Sequence, residues 1–416
     1  MPIPPQAIVA GHLCLDVIPD LSAAGAGQFQ QTFAPGRLLE VGAAALSTGG
    51  AVSNVGLALH RLGIGTQLQG KIGRDLFGQA ITQVIASFDP QLTAGMIVDG
   101  AAVSSYTVVI NPPGIDRIFL HCPGANDTFG ADDLRYDLLA GARLFHFGYP
   151  PLMRRMYEAD GAELAQIFRR AKTAGITTSL DMALPDPASA AGRADWQAIL
   201  RSTLPYVDIF LPSIEETLYA LRRPSYERLR QAADCDVVDL VTPELLSDVS
   251  AELLALGVKA AGLKLGHRGL YLRTAGAAAW RDAGRGQPAD LAGWAGKELW
   301  APCFQVDVAG TTGSGDATIA GFLASLLRGL NAEQAVLMAV AVGACNIEAA
   351  DALSGIRSWQ ETQARVAGGW PRHRMRLETD GWCYSEPEGL WTRPPVNGLA
   401  KPMNDSGRAS QRGAFK

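Results

Sequence analysis

The sequence predicts an α/β protein with a mostly parallel central sheet flanked by helices. Three observations carry that prediction. Short apolar, β-rich runs alternate with amphipathic stretches for most of the 416 residues, the pattern of repeated βαβ units. Two segments, Pro19 to Leu46 and Ala101 to Cys122, break the rhythm and read as a small β-sheet outside the main layer. A glycine loop, Gly310 to Gly315, opens directly onto a strongly apolar helical run.

The first run, AIVAGHLCLDVI from Ala7, is strand-like and ends near Asp16. A carboxylate at a strand end can accept two hydrogen bonds from neighbouring sugar hydroxyls. Pro19 to Leu46 is rich in Gly, Ala and Gln with one strand-like patch. STGGAVSNVGLALHRLG follows, in which Gly49 and Gly50 precede Asn54 and a helix that ends at Gly63. Paired glycines let a backbone approach a ligand, and an Asn at the helix start can bind hydroxyls as donor and acceptor; a turn with a cap serves the same pattern.

SSYTVVINPPGIDRIFLHC, Ser104 to Cys122, reads as two strands joined by a Pro-Pro-Gly turn. This segment and the earlier one serve as a lid over a site or as a dimer contact. ARLFHFGY, LAQIFRRAKTAG and ITTSLDM then continue the strand, helix, strand alternation, with His146 read as a core histidine. A polar, helix-prone stretch lies between Arg222 and Gly257. Beyond Trp382 the periodicity fails, so residues 1–380 are taken as one domain and 381–416 as a poorly ordered tail.

In GTTGSGDATIAGFLASLL, the residues Ile319, Phe322, Leu323, Leu326 and Leu327 form one buried helical face. Unpaired N–H groups and the helix dipole make such a start an anion site. Asp316 is there either an N-terminal cap or, beside a phosphate held at Gly313 to Gly315, a base for a substrate alcohol. The P-loop pattern G-x-x-x-x-G-K-[ST] is absent.

Composition excludes several classes. A formal charge of -5 gives no footprint for nucleic acid or anionic membrane. Cys14, Cys122, Cys235, Cys303, Cys345 and Cys383 are scattered and never C-x-x-C, as expected of small core residues in a reducing cytosol. No apolar run is long enough to span a bilayer and no signal core stands at the start, so a cytoplasmic address is expected.

Taken in order, Gly11 with Asp16, then Gly49, Gly50 and Asn54, then GRDLFG (Gly73 to Gly78), then the glycine loop ending in Asp316 resemble the ribokinase-like, PfkB-type carbohydrate kinases over roughly residues 7 to 357. The resemblance implies a three-layer αβα ribokinase-like fold with a β-sheet lid, ATP and Mg2+ as cofactors, and a sugar or nucleoside as the small-molecule partner. It implies Asp316 as catalytic base, with Gly313, Ser314 and Gly315 as the anion hole. Asp16, Gly49, Gly50 and Asn54 would hold the acceptor. Glu216, in a variant of the N-x-x-E motif at LPSIEETL, would organise the metal. Lys264, Gly266 and Gly269 of KLGHRG, with Thr312 and Asn346, would face the nucleotide. Arg268, in the turn after His267, either touches a phosphate on this reading or stands in a solvated turn.

Two departures from the family pattern are specific. Gly310 stands where the motif usually begins with Asp, which removes a carboxylate from the monovalent-cation site that accompanies this loop. Ser213 replaces the usual Asn of N-x-x-E. The expected function is phosphoryl transfer to a sugar hydroxyl, with a nucleoside kinase as one alternative and a non-catalytic sugar- or nucleotide-binding sensor as another. Exposed lid strands make a homodimer by edge pairing the expected assembly.

Overall fold

The computed structural model describes residues 5–22, 35–36, 38–111, 118–232, 236–375, 377 and 381–394. Among them a ten-stranded sheet divides the molecule. Six strands are parallel neighbours: β4 (Thr66–Gln69), β1 (Ala7–Gly11), β9 (Leu144–Gly148), β10 (Thr177–Leu180), β11 (Ile209–Phe210) and β12 (Ala260–Lys264). Beyond β12 the sheet continues antiparallel through β13 (Leu270–Thr274), β14 (Glu298–Ala301), β16 (Leu390–Thr392) and β15 (Cys383–Ser385).

Alternation along each strand feeds two separate cores, as a sheet covered on both faces requires. Val9 joins the core beneath helices Ala51–Arg61, Ser314–Leu327 and Ala332–Asn346, whereas Ile8 and Ala10 join the opposite one, under Ala162–Thr173, Trp196–Thr203 and Pro243–Ala255. The result is the expected three-layer αβα architecture. The stretch after Arg222 is helical as read, and Leu246, Val249 and Leu253 of its second helix are fully buried.

A second sheet of four strands stands apart, in the order β3 (Ala45–Gly49), β2 (Cys14–Ile18), β7 (Tyr106–Ile110) and β8 (Ile118–Cys122). The lid therefore begins earlier than the sequence places it, at Cys14 instead of Pro19. The reason is local: Gly11 adopts φ 122°, and the chain leaves the main sheet at His12 and Leu13, so one apolar run supplies strands to both sheets. Residues 23–34 and the Pro-Pro-Gly turn lie outside the described residues.

The tail also needs correction. Residues 381–394 are not a loose end: β15 and β16 pair with each other and extend the main sheet from β14. Leu390 is fully buried, and the Trp382 ring packs against Tyr271 and Trp300 at 6.2 and 6.3 Å. Burying these apolar groups outweighs the Pro and Gly content around them. Residues 395–416 lie outside the described residues. No helix among the described residues is long and apolar enough to cross a membrane.

Candidate active site

Among the described residues four helices start at glycines and carry no side-chain cap, after Gly50, Gly161, Gly276 and Gly313, and two of these starts meet: Ala51–Arg61 after Gly50 and Ser314–Leu327 after Gly313. Elsewhere Ser213, Thr242, Asn331 and Ser358 cap their helices with side-chain oxygens. Both glycines are forced. Gly50 has φ 87° and a Cβ there would lie 2.5 Å from the His12 carbonyl; Gly313 has φ 71° and would meet Ala352 Cβ at 2.6 Å. The two uncapped starts face one another, because Asn54 Nδ2 donates to Asp316 Oδ2 at 2.9 Å across 262 positions of sequence.

Asp316 is 3% exposed. Burial raises its carboxyl above the ordinary range, opposed by the Lys264 ammonium and by hydrogen bonds from Tyr149 and Asn54. The Tyr149 hydroxyl donates to both carboxylate oxygens, at 2.8 Å to Oδ1 and 2.7 Å to Oδ2. Tyr149 was not legible as a site residue.

Beside Asp316, a cleft of about 450 Å³ is lined by Asp181, Ser213, Glu216, Lys264, Gly266, Thr311 and the loop from Gly313 to Asp316; Thr312 does not line it. Lys264 Nζ donates to Asp181 Oδ1 at 2.7 Å and lies against Gly315, where an added Cβ would sit 3.5 Å from it. Burial depresses Lys264, but Asp181, Glu216 and Asp316 outweigh it and hold the ammonium above its usual value. Burial pushes the Asp181 carboxyl above the ordinary range, against the pull of Lys264, and its Oδ2 has no partner among the described residues. Asp181, like Tyr149, escaped the sequence reading, although an acid at the end of the strand run ITTSL repeats the signal read at Asp16.

Ser213 has a definite local role. Its hydroxyl accepts from the Glu216 N–H at 3.1 Å, and its own N–H donates to Glu216 Oε2 at 2.6 Å. This reciprocal capping box fixes the Glu216 carboxylate at the cleft wall. Serine thus retains the turn that presents the acid.

The remaining residues divide into cleft and support. Gly266 lines the cleft, with open space where a side chain would stand. Gly269 does not line it: φ 91° and a Cβ distance of 2.0 Å from the Ala301 carbonyl make it a turn glycine pressed against β14. Asn346 is buried behind the loop and donates from Nδ2 to the Thr312 carbonyl at 2.8 Å. Arg268 is spent on the Val238 and Val241 carbonyls, both at 2.7 Å, and stacks over Trp300. A side chain at Gly310 would meet Ala350 Cα and O at 2.9 Å, which accounts for the lost aspartate, and Asp307 is exposed.

The four-stranded sheet presents a polar row in cross-strand register: Ser47, Asp16, Thr107 and His121. Gly49 admits Asp16, whose Oδ2 would stand 2.3 Å from a Cβ there. Burial pushes the Asp16 carboxyl up to about 6, against hydrogen bonds from Cys14 and Thr107. His121 Nε2 lies 3.4 Å from His12 Nε2, and the His12 ring stands 6.2 Å from Tyr149. Burial and the neighbouring His121 lower His12 to about 3, so the ring is neutral. Lid, core and base are joined in sequence through these side chains.

Comparison with known proteins places this geometry. The model of the pfkB family of carbohydrate kinases matches residues 11–359. The chain is 30% identical to Fructokinase-1 of Zea mays over 155 residues, 37% of this chain and 47% of that protein. It is 24% identical to the probable chloroplastic fructokinase-6 of Arabidopsis thaliana over 365 residues, 85% of this chain and 80% of that protein. The chain spans about half the length of most of these curated relatives, 49% for Fructokinase-2 of Oryza sativa. Among solved structures, fructokinase with bound ATP from Xylella fastidiosa superposes with a TM-score of 0.64 at 20% identity, covering 88% of this chain and 99% of that one. Ribokinase from Thermotoga maritima gives 0.60 at 18%, covering 87% and 99%.

Proposed function

The chain belongs to the pfkB family of carbohydrate kinases, and from that premise we propose that it transfers the γ-phosphate of ATP to a sugar hydroxyl. The observation that carries the reading is the 2.9 Å bond between Asn54 and Asp316, which joins an uncapped helix start suited to hydroxyls with one suited to phosphate. Asp316 takes the proton as the acceptor oxygen attacks the γ-phosphorus; the bond to the β,γ-bridging oxygen breaks and ADP leaves. The first-turn N–H groups after Gly313 and the Lys264 ammonium stabilise charge on the transferring group. Asp16, with the backbone at Gly49 and Gly50, orients the acceptor.

Among the described residues no group of three or more His, Cys, Asp or Glu is gathered closely enough to hold a metal ion by protein ligands alone. Asp181 and Glu216 line the same cleft, and Asp181 Oδ2 has no partner among the described residues, so the residues present fit a Mg2+ carried mainly by phosphate and water. Glu216 and Asp181 would hold the ion, directly or through water, and it would neutralise phosphate charge. A carboxylate-held monovalent cation does not fit beside Gly310, which has no side chain and no room for one.

A nucleoside acceptor is the second reading, favoured by the paired rings of His121 and His12 beside Asp16, 5.2 Å apart. We place the protein in the cytoplasm as a homodimer joined through the lid, where Leu46, Ile118 and Leu120 are exposed on the edge strands β3 and β8. Sedimentation of wild type against an Ile118→Lys, Leu120→Lys variant tests that assembly.

The decisive experiment is ADP release with ATP and Mg2+ over a panel of sugars and nucleosides, with Asp316→Asn in parallel. Turnover that disappears in the variant establishes the kinase and names the acceptor. Ligand binding without any turnover would make the chain a sensor.

A further inference from the structure

Tyr149 directly follows β9 and adopts φ 63°, ψ 43°, the left-handed region that a bulky side chain enters only at a cost. Pro150 restricts it further. The surrounding packing must therefore enforce this backbone, and its product is a single placement: the phenol hydroxyl between the two oxygens of Asp316. Phosphoryl transfer as described above has no use for that hydroxyl.

We propose that Tyr149 is a positioning residue that orients the Asp316 carboxylate so that Oδ1 meets the acceptor hydroxyl. The proposal rests on the kinase reading. A carboxylate offers about four lone-pair directions, two on each oxygen. Oδ2 receives both Asn54 and Tyr149, whereas Oδ1 receives Tyr149 alone. Oδ1 is thus the oxygen with capacity left for a third donor. With Asn54 as the sole tether the carboxylate would be free to swing, and the proton-accepting atom would lose its fixed place.

The charged and titratable groups acting on Asp316 are Lys264, which favours the carboxylate, and Glu216, which favours the acid; Asp181 belongs to the same cluster. Tyr149 and Asn54 favour the carboxylate through hydrogen bonds, and burial favours the acid. Removing the phenol hydroxyl takes away support for the charged form only, so the Asp316 pKa must rise.

Tyr149→Phe keeps the ring and removes the donor. The first readout is independent of turnover: 13C-carboxyl NMR titration of Asp316, its resonance assigned by its loss in Asp316→Asn. The expected result is an upward shift of about 1 pH unit. In the active enzyme the acid limb of kcat/KM moves up by the same amount, and kcat falls on the order of tenfold with KM nearly constant. Incorporation of 3,5-difluorotyrosine at position 149, a stronger donor that retains the native shape, should shift the titration down. An unmoved titration in both folded variants overturns the proposal, as does a rise in KM with kcat intact, which would make Tyr149 a wall of the acceptor pocket. A shifted titration in a wild-type protein that phosphorylates nothing on the panel would sink the kinase reading and leave the orienting hydrogen bond standing.

Discussion

Asp208 and Asp181 are both fully buried aspartates at the ends of neighbouring parallel strands, yet they are held in opposite ways. Asp208 precedes β11 and is saturated: Lys172 and Lys259 each reach it at 2.8 Å, and Thr178 adds its N–H at 2.9 Å and its hydroxyl at 3.1 Å. Asp181 follows β10 at the other end of the sheet, has one lysine at 2.7 Å and leaves an oxygen unpaired. A buried carboxylate is costly unless paired and hydrogen-bonded. At one end of the sheet the fold meets that cost completely; at the other it leaves an acid incompletely paired, in the cleft lined by Glu216, Lys264 and Asp316. Of these two equally buried acids, the one that lines the cleft is the one left incompletely paired.

The widest separation of the two ends comes from the base itself. Asp316→Asn should lower kcat about a thousandfold while leaving unfolding by urea and acceptor binding nearly unchanged. Asp208→Ala does the reverse. It strands two lysines and should cost about 3–5 kcal/mol of stability, read from urea melts, with turnover per folded molecule intact. Loss of turnover in that variant at equal folded fraction would break the comparison.

Asp16 tests whether the acceptor side behaves like Asp181. Its folded pKa of about 6 exceeds the ordinary 3.8, so ionisation is opposed by the fold. That penalty is absent below pH 4, develops as the pH rises through 6 and is full above it. Asp16→Asn should accordingly raise stability by about 2–3 kcal/mol at pH 8 and not at pH 3.5, while weakening acceptor binding. The smallest expected effect is that of Asp181→Asn on stability, within about 1 kcal/mol at pH 7, because Glu216 and Asp316 remain to balance Lys264. Its nucleotide KM should rise in steady-state kinetics. A stability loss as large as that of Asp208→Ala would erase the distinction between the two acids.

The fold was legible because its signals are periodic and local. Alternating strands and helices, and glycines at φ values that other residues avoid, leave marks in neighbouring letters. Gly50 and Gly313 could be read for the same reason, and so could Asn54 and Asp316 beside them. His121 meets His12 over 109 positions, and nothing local to either histidine records that meeting. Tyr149 was hidden because a left-handed tyrosine has no sequence signature. Neither reading of Arg268, phosphate contact or solvated turn, anticipated its bonds to the Val238 and Val241 carbonyls, because those partners lie about 30 positions away. The β15–β16 hairpin was missed although WCYSEPEGLWT pairs two short runs around a turn; its strands are too short to show a period, and Trp382 reveals its purpose only through Trp300.

The two residues between β1 and β2 are the joint through which the small sheet is carried on the large one. His12 is tied through its N–H to Gly148 O at 3.2 Å and through its carbonyl to Val52 N–H at 3.1 Å, and Leu13 is gripped on both sides by the Asn126 side chain at 3.1 and 2.9 Å. The joint is thus clamped to the rigid body, while the arm beyond it, a five-residue strand, is about 16 Å long. By geometry alone, a twist of about 10° at Leu13 would sweep the far end of that arm by roughly 3 Å, so the four hydrogen bonds at the joint set how precisely the rim of the small sheet is placed.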